Sequence, residues 1–161
     1  MSGDEQLQID FRWTARALGV LRIVTALLFL EHGTGKLLGF PMTSMAFPPP
    51  WTMFWVAGLL ETIGSLLLLV GLFTRPVAFV LAGEMAIAYW MIHAQESLFP
   101  MINKGEGAIL FCFIFLLFVA TGPGKWSVDE ILRRRKPEYE GYAAPGGERQ
   151  YSEDEFGGGP A

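Results

Sequence analysis

The chain has 161 residues, of which 52% are hydrophobic, 14% aromatic and only 17% charged, with a net charge of −4. A soluble domain of this size carries roughly a quarter charged residues; here the charges crowd into residues 1–16 and 125–155 and leave the middle depleted. That pattern excludes an ordinary soluble domain, points to an integral membrane protein with polar ends, and offers no basic face interleaved with aromatics for nucleic-acid binding.

Residues 1–14 are polar with scattered apolar positions, and "LQIDFRWTAR" suits a short interfacial helix. Four apolar segments follow, at about 15–38, 51–73, 76–94 and 107–124. Each is close to the ~20 residues a helix needs to cross the hydrocarbon core. Pro48, Pro49 and Pro50 keep the first connection extended, "TRP" at Thr74–Pro76 makes a tight turn, and "TGPGKW" stops the fourth segment. The expected fold is all-α, an integral membrane four-helix bundle with polar termini. It divides into a polar N-terminal segment (1–14), a four-transmembrane-helix domain (15–124), a basic juxtamembrane segment (125–136) and a disordered tail (137–161) rich in Gly, Pro, Glu and Tyr.

Lys and Arg set the expected orientation. Arg12, Arg16, Arg75, Lys125, Arg133, Arg134, Arg135 and Lys136 fall on one side, against Lys36 and Lys104 on the other. Four spans with both termini cytoplasmic fit that bias. A cleaved signal peptide over residues 12–35 is the competing reading, and it discards the most unusual motif in the chain.

That motif is "FLEHGTGKLLGF" at residues 29–40, which carries Glu31, His32 and Lys36 at the outer end of the first span. Glu61 and Glu84 lie near the middle of the second and third spans, and His93 near the outer end of the third. Arg22 sits alone toward the cytoplasmic side, and Glu106 opens the fourth span. A carboxylate near the bilayer centre costs at least ~2.5 kcal/mol on insertion scales, so it faces protein or water and often marks function. At about 100° per residue, Arg22, Ala26, Phe29, Gly33 and Lys36 share one stripe while Glu31 points away from Lys36. The "GTG" at Gly33–Gly35 could loosen the helix and change that. Glu61 shares its face with Ala57, Gly58, Gly64 and Ser65, a small-residue surface for helix contact. Glu84 points away from the Ala78, Ala82, Ala86 stripe, so it faces a neighbouring subunit or its helix buries two sides.

Two readings of these charges stay open. Glu61 with Lys36 or Arg22 is a structural ion pair that sets helix order, or these groups with His32 and His93 line a polar pocket for a small molecule or a proton path. No His-x3-His or Cys-x2-Cys spacing supports a metal. The lone Cys112 reads as a small packing residue, and no nucleophile or phosphate-loop motif is present.

"LGVLRIVTALLFLEHGTGKLLGF", "AGLLETIGSLLLLVGLFTRPVAFVLAGEMAIAYW" and "GEGAILFCFIFLLFVATGPGKWSVD" together resemble the DoxX family of small four-span bacterial membrane proteins, over about residues 17–132. By position, the family's polar motif falls on Arg22, His32, Lys36, Glu61, Arg75, Glu84 and Glu106. The resemblance implies a bacterial inner-membrane protein tied to quinone-linked oxidoreductase or respiratory-type complexes. Glu31, His32, Lys36, Glu61, Glu84 and His93 are then candidates for binding a quinol or similar molecule and moving its protons. Arg22, Arg75 and Glu106 are candidates for structural ion pairs. Quinone is the cofactor implied, and the partners implied are the lipid bilayer and other membrane subunits or a second copy. The alternative is a non-catalytic structural or assembly subunit.

Overall fold

The computed structural model describes residues 3–42, 44 and 46–135; the tail expected to be disordered, 137–161, lies outside the described residues. Among the described residues six α-helices run in order: α1 (Gly3–Leu38), α2 (Met53–Val70), α3 (Thr74–Ala88), α4 (Pro100–Asn103), α5 (Glu106–Thr121) and α6 (Val128–Arg135). Helix α3 continues into one π turn, Tyr89–His93. Helix α1 packs along α2 and α3 along α5, and a smaller contact joins α2 to α3.

The expected four-helix bundle of four spans is not what this chain forms. Among the described residues, three helices are long and apolar enough to cross a membrane: Ile9–Leu38, Met53–Val70 and Thr74–His93. The fourth apolar helix, α5, has 16 residues, about 24 Å at 1.5 Å per residue against a hydrocarbon core of about 30 Å. Its end is set by "GPG": Gly122 and Gly124 take left-handed φ values of 86° and 69° around Pro123, so the backbone leaves the helix after Thr121. Residues 3–14 form the first turns of one unbroken α1, which also runs straight through Gly33–Gly35.

One buried arginine ties the ends of these helices together. Arg22 is fully buried. Its Nε donates to Pro123 O at 2.9 Å, Nη1 to Leu69 O at 2.7 Å and to Leu68 O, and Nη2 to Trp126 O at 2.8 Å and Lys125 O at 3.3 Å. A guanidinium has five N–H donors, and here each has a carbonyl. Leu68 and Leu69 belong to the last turn of α2, at the negative end of the helix dipole, where Leu68 O also accepts from the Gly71 N–H at 3.0 Å. Trp126 reaches its position with φ of 57°, an unusual backbone for a bulky residue. Gly71 closes α2 with φ of 70°, and a Cβ there would meet Ser127 Cβ at 2.5 Å and Arg22 Cζ at 3.0 Å.

Helix α6 is held against the same end. Ser127 Oγ accepts from the Glu130 N–H at 3.2 Å, an N-cap bond. Asp129 caps a different helix: its two carboxylate oxygens accept from the Phe73 and Thr74 N–H groups at the start of α3, both at 2.9 Å. Glu130 Oε1 accepts from Lys125 and Arg134, both at 2.7 Å. The Lys125 hydrogen bond, helped by Arg134, holds the Glu130 carboxyl below the usual carboxylate range.

Arg22→Lys leaves three donors for five buried carbonyls. At roughly 1–3 kcal/mol per buried group left unpaired, the thermal midpoint in detergent is expected to fall by about 10 °C. A midpoint within about 2 °C of wild type contradicts the tie. The helix contacts give a second, paired expectation. A Cβ on Gly33 would meet Thr62 N at 2.6 Å and Thr62 Oγ1 at 2.4 Å, whereas one on Gly83 meets nothing within 4 Å. Gly33→Ala is therefore expected to destabilise the protein, and Gly83→Ala to be neutral or slightly stabilising through helix propensity. Equal midpoints for the two variants contradict the close approach of α1 and α2.

Candidate functional site

At the other end of α1, small residues let two helices meet closely enough for a lysine to reach a mid-span carboxylate. The buried face of α2 carries Gly58, Glu61, Gly64, Ser65 and Leu68. Gly58 lies against Leu37 and Lys36, Gly33 against Thr62, and Gly64 against Leu81 of α3. This small-residue stripe brings α1 and α3 onto α2 with little between the backbones. Lys36 Nζ donates to Glu61 Oε1 at 2.5 Å, with the lysine side chain 15% and the glutamate 2% exposed. Glu31, on the opposite side of α1 from Lys36, is exposed.

The pair leaves oxygens unused. Glu61 Oε2 is buried without a hydrogen-bond partner, as are both carboxylate oxygens of Glu84 and the Ser65 hydroxyl. Both Glu84 carboxylate oxygens are buried within this chain, so the side chain faces its own interior. Lys36 pairs with Glu61 alone, and Glu84, on the adjacent helix, has no ion-pair partner among the described residues. Buried polar atoms are almost always partnered, and these three carboxylate oxygens have no partner among the described residues. His32 lies within electrostatic reach of Glu61 and is itself exposed at the cluster's edge. Its ring packs edge-on to Phe111 at 5.9 Å and near Phe29 at 6.1 Å, and Phe29 and Phe115 continue the aromatic wall.

The remaining sequence candidates lie elsewhere. His93 sits in the π turn with Nδ1 2.9 Å from Asn103 O, tying α3 to the loop before α5. Arg22 gives its donors to carbonyls, with no carboxylate in ion-pair distance among the described residues. Arg75 Nη1 donates to Val119 O at 3.1 Å, joining the start of α3 to the end of α5. Glu106 is exposed in the first turn of α5. No group of three metal-ligating side chains occurs among the described residues.

Sequence reasoning passed over three polar residues. Asn103 is buried, takes the Gly105 N–H at 2.7 Å and donates to Ser97 O at 2.7 Å, so it shapes the loop that holds His93. Ser65 stood out only as a small residue, yet it adds an orphaned hydroxyl one turn from Glu61. Asp129 lay in the segment read as basic and juxtamembrane, and its role follows from a fold-back invisible in local sequence.

The DoxX family profile matches residues 17–94, which carry Arg22, Lys36, Glu61 and Glu84. An uncharacterized protein of Haemophilus influenzae is 44% identical over 119 residues, 70% of this chain and 87% of its own. The inner membrane protein YqjF of Escherichia coli is 32% identical over 127 residues, 72% of this chain and 92% of its own. The inner membrane protein YphA of the same organism is 31% identical over 121 residues, 68% and 86% of the two chains. No solved structure matches the chain. With three helices among the described residues long and apolar enough to cross a membrane, and with separate buried polar sites at Arg22 and at Lys36–Glu61, this multi-pass bacterial inner-membrane protein belongs to the DoxX family.

Proposed function

We propose that the chain is a small membrane subunit of a quinone-linked oxidoreductase or respiratory-type complex, and that the Lys36–Glu61–Glu84 cluster binds a quinol. The observation that carries this reading is the set of three buried carboxylate oxygens without partners around one lysine. The residues fit such a ligand: orphaned acceptors stand ready for hydroxyl donors, Lys36 is a donor for an oxygen, and Phe29, Phe111 and His32 offer an aromatic flank. A quinol supplies two electrons and two protons on oxidation. Glu61 Oε2 and the Glu84 carboxylate accept the hydroxyl hydrogen bonds and hold the released protons. Lys36 balances the charge left at Glu61, and exposed His32 passes protons outward. The electrons go to a redox-active partner subunit. Arg12, Arg16, Arg75, Lys125, Arg133 and Arg134 gather where α1 and α3 start and α2 and α5 end, and we read that end as cytoplasmic.

A second reading has one observation in its favour. The Lys36–Glu61 pair joins α1 to α2 directly, as a structural or assembly subunit with buried charges for helix order would require. Gentle-detergent purification from native membranes, followed by mass spectrometry of bound quinones and proteins, separates the two. Wild type is expected to carry near-stoichiometric quinone, and Lys36→Ala and Glu61→Gln to lose most of it, about tenfold or more. Protein partners without quinone, retained by a Glu61→Gln, His32→Gln double variant, contradict the quinol reading and favour the architectural one.

A further inference from the structure

The polar groups at the Arg22 end have a second consequence, independent of the quinol reading. Between the start of α1 and helix α6 lies a cleft of about 470 Å³ lined by Arg16, Lys125, Trp126, Ile131 and Arg134, with Glu130 on its wall. The loop at its base is fixed to α1, since the Lys125 N–H donates to Ala15 O at 2.9 Å. A Cβ on Gly124 would meet Gly19 N at 2.6 Å, so the loop packs directly against the α1 backbone. Glu130 is already engaged by Lys125 and Arg134. Arg16 has no carboxylate in ion-pair distance among the described residues and lies over the Trp13 ring at 5.2 Å. Three cations against one carboxylate leave the cleft net positive.

The surface beyond the cleft is apolar. Val20, Val24 and Leu27 follow Arg16 at helical spacing along α1 and are each about half exposed, at 51%, 48% and 48%. The half-exposed indole of Trp126 sits beside the cleft, held there by the strained backbone that sends its carbonyl to Arg22. Tryptophan with a ring of cations marks the headgroup level of a bilayer. We propose that this cleft is a binding site for one anionic phospholipid. Its phosphate sits between the Arg16 and Arg134 guanidinium groups, and an acyl chain runs along the Val20–Val24–Leu27 stripe. Guanidinium groups match phosphate oxygens bidentately, and a zwitterionic headgroup brings an ammonium that Arg16 and Arg134 repel. The stripe favours a lipid over a free anion, because a free phosphate leaves it uncovered.

The test is native mass spectrometry of the full chain after exchange into vesicles holding equal dioleoyl phosphatidylglycerol and dioleoyl phosphatidylcholine. Wild type is expected to retain phosphatidylglycerol over phosphatidylcholine by about tenfold. An Arg16→Gln, Arg134→Gln double variant is expected to fall to less than about twofold, with an unchanged helical circular-dichroism spectrum showing that it folds. Arg133→Gln, facing the other side of α6, is expected to keep the wild-type preference. Equal retention of the two lipids by wild type overturns the site. So does an unchanged preference in the double variant, or an equal loss in Arg133→Gln, which would make the effect one of general basic charge. Loss of the preference in millimolar inorganic phosphate overturns the lipid assignment in favour of a free anion.

Discussion

Five backbone carbonyls converge on the guanidinium of Arg22, and most of the molecule's order follows from that meeting. A lone arginine inside a lipid-bound helix is costly. Here the cost is offset by an acceptor for each N–H and by the negative end of the α2 dipole at Leu68 and Leu69. Because the other three acceptors come from Pro123, Lys125 and Trp126, the residue that anchors α2 also fixes where the chain turns after α5. That turn positions Asp129 to cap α3 and sets α6 beside α1. A single side chain thereby links α1, the end of α2, the start of α3 and the α5–α6 connection.

The opposite end of α1 follows a different rule. Where Arg22 is saturated, Glu61 and Glu84 are left wanting. Glycines at 33, 58 and 64 bring the helices close, and Lys36 meets only one of the four carboxylate oxygens. A chain whose buried charges served architecture alone would be expected to close that cluster as fully as it closes the Arg22 site. The contrast between a complete polar site and an incomplete one within one helix supports assigning structure to the first and chemistry to the second.

Much of this was legible in the sequence, for identifiable reasons. Apolar length located the helices, and helical spacing placed Glu61 on a face with Gly58, Gly64 and Ser65 and turned Glu31 away from Lys36. Length was misread at the fourth segment, because apolar residues were counted through a Gly-Pro-Gly whose glycines adopt left-handed φ and stop the helix at Thr121. The glycines of "GTG" were read as a helix weakness, yet buried Gly33 is a packing surface for Thr62 and the helix continues. Arg22 looked like half of an ion pair, since nothing local reveals that carbonyls about a hundred residues away supply its partners. Glu84 could not be assigned a side from α3 alone. Its direction depends on how α3 meets α2, which rests on Leu81 against Gly64.

The account rests most heavily on Glu61 and Glu84 acting as one ligand-meeting unit. Infrared difference spectroscopy of the protein in lipid, recorded on adding a short-chain ubiquinol, reads carboxyl groups directly. The account predicts a carboxyl band that responds to the quinol and is lost in both Glu61→Gln and Glu84→Gln. A spectrum in which no carboxyl band responds, or in which the response survives both substitutions, contradicts it.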